Sequence, residues 1–460
     1  MVYSPNFGYL YIHVWEWIGL PFYLFIIFVI SNLHQKKKEQ EDPIYEYYQK
    51  ALFIKIFGGI IFSLVYFYYY LGGDTTTYYE SAVVMKNLMF DSFSSWAKNE
   101  FGGGSVENYF LFNSRTGYPM TYMYYNPQTF SVIRLINPLM IFSFSGYLLS
   151  TVLVSWVSFF GVWKLFKVFC AYYPHLRKQF FIAILCFPSV IFWGSGILKD
   201  SITLSCTGWV VYSVYSVFFL RQKIVQNIII LITCGAIILS IKPYIILALL
   251  PGSLIWIFSN RIYKIKNTAV KIMIIPVAAI TCLGGGYFIV KNMGDRMGKF
   301  SVDNISKTAL ETEHDLKQDY YGGHSFDLGG FEPTTAGYIK IFPKAFVAGT
   351  YRPFLWESGN AVMLVSGIEN TFLLYLTLLA FIRTGVFGIF KRLYRESLLF
   401  FCFSYSVFFA FAVGLTTTNF GALARFKIAY LPFFVSVLFI LSQKQNKKID
   451  ESEIEPELSH

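Results

Sequence analysis

Charged residues are scarce in this sequence, and their scarcity argues against a soluble fold. Asp, Glu, Lys and Arg make up 14% of the 460 residues, whereas hydrophobic residues make up 55% and aromatic residues 20%. Apolar runs of about 20 residues recur along the chain, and this is the length that a membrane-crossing helix needs. The alternating pattern of a barrel strand is absent. We therefore predict an all-α polytopic membrane protein.

Cysteine and histidine are also sparse. None of the six cysteines forms a C-x-x-C pair, and the six histidines are scattered along the chain, so neither a disulfide framework nor a zinc site is indicated. We expect no bound metal and no cofactor. The cysteines, which all lie in or beside apolar runs, are Cys170, Cys186, Cys206, Cys234, Cys282 and Cys402.

The net charge of +11 would suggest a nucleic-acid partner in a soluble protein. Here the basic residues cluster in short connections between apolar runs, which is the pattern that sets the orientation of a membrane protein. We therefore expect no nucleic-acid partner. The partner that this composition predicts is the lipid bilayer.

Hydropathy predicts about eleven membrane spans. Alternate connections are basic, which places them in the cytoplasm, the N-terminus outside and the C-terminus inside. Because no basic segment precedes the first span, we predict an anchor there and not a cleaved signal peptide. The predicted spans are approximately 14–32, 51–71, 138–163, 179–197, 201–220, 224–241, 244–259, 269–291, 361–382, 396–414 and 427–442.

These spans predict one integral membrane domain over residues 1–442, followed by a polar cytoplasmic tail over 443–460. Two outward connections are long, at 72–137 and 292–360. Loops of this length in a compact protein usually carry function. We expect amphipathic or re-entrant helices in both.

The first long loop begins GGDTTTYYESAVVMKNLMF. Gly72 and Gly73 end the second span, and Asp74 follows in a position to cap a helix. The spacing of the apolar residues after it predicts an amphipathic helix lying on the membrane surface. Asp74 is either only this cap or a carboxylate at the membrane–water boundary that acts as a general base toward a sugar hydroxyl.

Lys199 and Asp200 are held between two apolar runs in FPSVIFWGSGILKDS. Charges close to membrane depth are costly and often mark a site. The pair is either a tight turn with interfacial charges or an anion contact by Lys199, with Asp200 orienting it or capping the next span. Lys242 places another cation on the same side, although a lysine reaching for the interface would explain it too.

The second long loop ends in a segment dense in charges and aromatic rings, YRPFLWESGN. Arg352 offers a bidentate fork suited to phosphate, and Glu357 is its ion-pair partner or a second carboxylate. Glu369 falls within the next span and is a candidate by its depth. Near the end of the chain, Arg425 is predicted to face the interior and Lys427 to anchor the interface.

Together these residues form one predicted site on the outward face, suited to a sugar carried on a lipid-linked phosphate. The cations would stabilise charge that develops on the leaving phosphate, and a carboxylate would take the proton of the attacking hydroxyl. The aromatic surroundings suit a polyprenyl chain. The predicted site residues are Asp74 as the catalytic base, with Lys199, Asp200, Lys242, Arg352, Glu357 and Arg425 as substrate contacts.

The segments GGDTTTYYESA, FPSVIFWGSGILKDS and NFGALARFKIAYLPFF, in this topology, resemble the bacterial polytopic glycosyltransferases of the GT-C type and the related O-antigen polymerases. The resemblance implies transfer of a glycan from a polyprenyl-(pyro)phosphate donor at the outer face of the bacterial inner membrane. It implies Asp74 as the loop carboxylate and Arg352 or Arg425 as pyrophosphate contacts. The paired acids of metal-using members are missing, because Thr75 follows Asp74.

Two other functions fit the same sequence. A transporter or flippase for a lipid-linked or anionic substrate would place charges deep within spans and break helices near the membrane midplane. A non-enzymatic membrane assembly component would tolerate substitution of the outward charges. Most charges here lie at span ends, which favours the transferase.

The predicted orientation can be tested with fusions. Because the last span should end in the cytoplasm, green fluorescent protein fused to the C-terminus should fluoresce, and alkaline phosphatase fused there should be inactive. Active phosphatase at the C-terminus would invert the predicted topology.

Overall fold

The computed structural model describes residues 2–4, 8–263, 326, 328–329 and 335–443. The regular structure in this part of the chain is helical apart from one antiparallel hairpin, formed by β1 (Val2–Ser4) and β2 (Gly8–Leu10). Within the described residues, seven helices are long and apolar enough to cross a membrane, or eight if one pair bent by 69° counts as a broken span. The predicted class, a polytopic helical membrane protein, agrees with this architecture.

The chain divides into two compact units, and unit 1 comprises Met1–Ser216 and Lys223–Pro243. Its helices are α1 (Val14–Glu39), α2 (Tyr48–Leu64), α3 (Asp74–Asp91), α4 (Phe93–Phe101), α5 (Val106–Tyr109), α6 (Thr121–Tyr124), α7 (Pro127–Ile136), α8 (Leu139–Phe142), α9 (Tyr147–Tyr172), α10 (Arg177–Phe180), α11 (Pro188–Trp193), α12 (Lys199–Tyr215) and α13 (Ile224–Ile241).

Helices α9 and α12 pack most extensively in unit 1. Small residues allow this: a Cβ on Gly161 would lie 1.9 Å from the Ser205 carbonyl oxygen, and one on Gly208 would lie 2.0 Å from the Gly161 carbonyl oxygen. The start of α9 is fixed by Glu16 of α1, whose Oε2 accepts a hydrogen bond from the Leu148 N–H at 2.9 Å. Glu16 is buried, and it satisfies a donor that a helix start leaves open.

Unit 2 comprises Val217–Gln222 and Tyr244–His460. Its described helices are α14 (Pro243–Tyr263), α15 (Thr335–Tyr351), α16 (Ala361–Arg395), α17 (Ser397–Thr416), α18 (Phe420–Phe426) and α19 (Leu431–Leu441). Helices α15 and α17 approach so closely that a Cβ on Gly349 would lie 1.9 Å from the Ala410 carbonyl oxygen. The predicted single domain over 1–442 stays a prediction, since two such units can belong to one membrane domain.

Several predicted spans differ in the structure. The span predicted at 179–197 is instead a short α10, a π-helix at Phe181–Cys186 and a short α11; Pro188 supplies no N–H to continue the preceding helix. The span predicted to begin at 138 begins at Tyr147, after Phe144 and Ser145 adopt positive φ. The span predicted at 244–259 coincides with an apolar helix, Pro243–Ser259, that is too short to be counted among the seven. The span predicted at 269–291 lies outside the described residues.

The chain between α11 and α12 has no regular structure, yet its carbonyl groups are bonded. Gly194 O accepts from the buried Lys55 Nζ, Ser195 O from Ser155 Oγ at 2.6 Å, and Gly196 O from Ser201 Oγ at 2.6 Å. Non-helical backbone is tolerated at membrane depth only where protein or water satisfies it. These side chains from α2, α9 and α12 therefore hold the break between α11 and α12 in place.

Because α2 lies close to this break, adding a methyl group to a glycine of α2 should lower the stability of the protein. A Cβ on Gly59 would lie 2.2 Å from Ser155 Oγ and 3.0 Å from Ser195 O, whereas Gly235 on α13 has nothing within 4 Å. Gly59→Ala should cost about 1–3 kcal/mol of stability through overpacking, seen as a lower thermal midpoint in detergent. Gly235→Ala, the matched control, should be neutral or slightly stabilising because alanine favours helix. Equal midpoints would contradict this packing.

Candidate functional site

The catalytic candidate Asp74 lies at the start of α3. Gly72 and Gly73 have φ of 121° and 137°, in the left-handed region that favours glycine. Gly73 is the N-cap, and its carbonyl oxygen accepts from Thr76 Oγ1 at 2.9 Å and Thr77 Oγ1 at 3.1 Å. Asp74 is therefore the first residue of the helix and not its cap. Its carboxylate is favourable there because the helix start carries partial positive charge.

The sequence predicts that helix α3 lies flat on the membrane surface, but the structure contradicts this prediction. Every residue from Thr75 to Ala82 is buried, whereas an interfacial helix exposes one face. The helix packs against α4, α7, α8 and α9. Its side chains hold the chain that precedes α9: Tyr79 Oη donates to Ser145 O, and Lys86 Nζ donates to Ser145 Oγ at 2.8 Å. The half-exposed Asp74 thus begins a helix whose following residues are buried and packed.

Tyr122 of α6 lies beside the start of α3. Partial desolvation raises the pKa of Tyr122, a hydrogen bond with Thr77 lowers it, and the negative charges of Asp74 and Glu80 raise it further. The phenol is therefore protonated at neutral pH and close enough to Asp74 to feel its charge. It offers a neutral hydroxyl at the start of the helix that carries the candidate base.

Asp200 and Lys242 form a buried ion pair. Asp200 lies in the first turn of α12 and Lys242 directly follows α13, and α12 packs against α13. Lys242 Nζ lies 2.5 Å from Asp200 Oδ1, with side chains only 8% and 2% exposed. Each charge also has the sign that its helix end favours. These two predicted substrate contacts are thus bonded to each other, 42 residues apart in sequence.

Lys199 makes a different contact, with a helix of the first long connection. Its Nζ forms a hydrogen bond with Thr129 Oγ1 at 2.8 Å. Thr129 is in the first turn of α7, where Asn126 Oδ1 accepts from the N–H groups of Gln128 and Thr129 at 3.1 Å. Helix α7 also packs against α3 and α13. The segment 121–136 therefore brings together the helix that starts at Asp74 and the helix that starts at Lys199.

In unit 2, Arg352 and Glu357 form an ion pair. Arg352 Nη2 lies 2.8 Å from Glu357 Oε1, and Glu357 Oε2 accepts from the Phe354 N–H at 2.8 Å. The guanidinium lies 4.5 Å from the centre of the Phe326 ring. Of the two roles predicted for Glu357, an ion-pair partner of Arg352 or a second carboxylate, the structure shows the ion pair. The Arg352 side chain is still 26% exposed, so it retains room for an anion.

Lys427 is a buried organising cation that the sequence interpretation misses. Its Nζ donates to Thr350 O at 3.0 Å, to Arg352 O, and to Asn370 Oδ1 at 3.1 Å. Asn370 Nδ2 in turn donates to Pro353 O at 2.9 Å. Lys427 and Asn370 thereby fix the backbone on both sides of the Arg352 side chain.

The predicted role of Lys427 is wrong, whereas the prediction that Arg425 faces the interior stays a prediction. Arg425 is half-buried, whereas Lys427 is 2% exposed and is not an interfacial anchor. Glu369, the buried carboxylate predicted within the span, lies in electrostatic range of Lys427 and Tyr430. The signal for Lys427 was present in the adjacent Glu369 and Asn370, because polar side chains within an apolar span need a polar partner.

The predicted site residues thus fall into two sets. Unit 1 holds Asp74, Lys199, Asp200 and Lys242, and unit 2 holds Arg352, Glu357 and Arg425. Among the described residues, no three His, Cys, Asp or Glu side chains are grouped to hold a metal ion. No family model, curated protein or solved structure matches the chain.

The Asp200–Lys242 pair gives a stability prediction. Asp200→Leu leaves the Lys242 charge buried without its carboxylate and should cost about 3–5 kcal/mol, whereas Asp200→Leu combined with Lys242→Met should recover most of that loss. Thermal unfolding in detergent measures both. Lys38→Met, in the partly exposed pair with Glu41, is the control and should change little. If the double variant were no more stable than the single one, this pairing would not be the stabilising interaction.

Proposed function

We propose that the protein is a membrane glycosyltransferase or polysaccharide polymerase that takes its glycan from a polyprenyl-(pyro)phosphate donor. In this proposal the chain crosses the bacterial inner membrane about eleven times, with its N-terminus outside and its C-terminus in the cytoplasm. The reaction takes place at the outer end of unit 1. The acceptor is a hydroxyl group.

One observation carries the proposal: segment 121–136 contacts both the start of α3 and the start of α12. Tyr122 bonds Thr77 in the first turn of α3 and interacts electrostatically with Asp74, and Thr129 is bonded to Lys199. The helix that begins with the Asp74 carboxylate and the helix that begins with the Lys199 cation therefore both contact segment 121–136. Glycan transfer from a lipid phosphate needs this combination, a base for the acceptor and positive charge for the leaving phosphate.

Each residue then has a distinct role. Asp74 is half-exposed and accepts the proton from the acceptor hydroxyl. Lys199 contacts the phosphate of the donor. Asp200 and Lys242, buried and bonded to each other, act as positioning residues that fix the start of α12 and hence Lys199.

The unit 2 residues supply a second cationic element in the proposal. Arg352 is a second candidate phosphate contact, held by Glu357 on one side and by the Lys427 bond to its backbone on the other. Arg425, which is half-buried, is the other arginine suited to this role. No metal ion enters the proposed reaction.

Transport of the same kind of substrate is the second candidate, and the break between α11 and α12 favours it. Discontinuous helices occur where transporters hold their substrates, and their unwound backbone carbonyls coordinate the coupling ions. In this protein the carbonyls of Gly194, Ser195 and Gly196 accept from side chains of the protein itself. This occupation favours a structural role for the break, and we rank transport second.

Substitution of Asp74 tests the proposed chemistry. Asp74→Asn should reduce glycan transfer by about 10²–10⁴-fold, because it removes a general base, while the protein remains folded and at normal abundance. Gel profiles of cell-surface glycan, with mass spectrometry of the lipid-linked precursor, would show lost or shortened product and accumulated precursor.

Asp91→Asn is the matched control, since Asp91 ends the same helix, is exposed and bonds Asn113. It should leave the glycan profile unchanged. A wild-type profile from the Asp74→Asn strain would refute the catalytic assignment. Precursor that accumulates only on the cytoplasmic face would indicate transport instead.

A further inference from the structure

A group of lysines lies near the C-terminal parts of α1 and α9 and the start of α13. We call Lys37, Lys38, Lys164, Lys167 and Lys223 the basic cluster. His34 of α1 interacts electrostatically with four of its members, and Lys164 interacts with Lys167 and Lys223. The cluster therefore joins three helices of unit 1 and concentrates like charges that repel one another.

Aromatic rings line the cluster from within. Lys164 Nζ lies 4.1 Å from the centre of the Tyr212 ring and 5.2 Å from that of Trp209. Lys167 Nζ lies 4.9 Å from the centre of the Tyr45 ring. The ring faces attract the ammonium groups and hold them in partly desolvated positions. Lys164 and Lys167 are accordingly half-buried and not extended into solvent.

Two carboxylates offset only part of this charge. Asp42 Oδ2 lies 3.1 Å from Lys167 Nζ, and Glu41 Oε2 lies 2.7 Å from Lys38 Nζ. The five lysines exceed these two acids together with Glu39 of the same turn of α1, which bonds Gln35. Helix dipoles do not account for the excess, because their effect is confined to the last turn and Lys164 lies two turns before the end of α9.

An apolar stripe on α1 leads to the cluster. Ile26, Ile30 and Leu33 are exposed and are followed at the same helical spacing by the exposed Lys37. A ligand with a phosphate head and acyl chains matches both parts, because its chains can follow the stripe while its phosphate meets the lysines. A free phosphate would use only the lysines.

We propose that the basic cluster is a binding site for the headgroup of an anionic phospholipid, whose acyl chains lie along the exposed stripe of α1. Basic pockets between membrane helices bind such headgroups. The lipid neutralises the excess charge and ties α1 to α9 and α13. This site is independent of the proposed reaction, which uses none of these residues.

Thermal unfolding of the purified protein in mixed micelles tests the site. Phosphatidylglycerol should raise the unfolding midpoint of the wild-type protein more than phosphatidylcholine does, and the difference should shrink as salt screens the charges. Lys164→Gln and Lys37→Gln should each remove a large part of this difference, and together most of it. Lys37 is exposed, so its substitution should not disturb folding.

Two control variants separate this site from general charge effects. Lys164→Arg keeps the charge and should retain the difference, and Lys391→Gln removes an exposed lysine of α16 and should retain it as well. An equal loss in Lys391→Gln and Lys164→Gln would overturn the site in favour of diffuse attraction. Stabilisation by inorganic phosphate as large as that by phosphatidylglycerol would overturn the lipid assignment.

Discussion

The satisfaction of polar groups inside an apolar protein is the constraint on which the rest of this structure depends. The break between α11 and α12 exposes three successive carbonyl groups to the interior, and Lys55, Ser155 and Ser201 each bond one of them. Without these partners each carbonyl would carry the cost of an unmade hydrogen bond in a medium that offers no water. The partners come from α2, α9 and α12, so the break and the helix packing determine each other.

The same constraint explains how the charged residues are arranged. Asp200 and Lys242 neutralise each other at the ends of α12 and α13, and Lys427 distributes its hydrogen bonds over two carbonyls and the Asn370 amide. These buried charges hold backbone in position. Asp74, Lys199 and Arg352 are half-exposed and are attached to backbone that buried residues hold in position. A division of this kind, with buried positioning residues behind accessible ones, is what a preorganised site requires.

Much of this could be predicted from the sequence, because hydropathy and glycine breaks act locally. The apolar runs predict most of the long helices, and Gly72-Gly73 predicts that a helix starts at Asp74. Average hydropathy carries no information on hydrogen bonds, so it predicts an unbroken span at 179–197 where the chain is divided into short helical segments. Pairings between distant residues were also hidden: nothing local in the sequence joins Asp200 to Lys242, or distinguishes Lys427 from Arg425 two residues earlier.

The central claim is that a lipid-linked phosphate binds at the end of unit 1 where segment 121–136 meets the start of α12. Photo-crosslinking with a photoreactive polyprenyl phosphate, followed by mass-spectrometric mapping of the labelled peptides, tests it most directly. The account predicts label on α7 and around Lys199, reduced in Lys199→Met and unchanged in the Lys98→Met control. Label confined to other segments, or equal labelling of α7 in the two variants, would contradict the account.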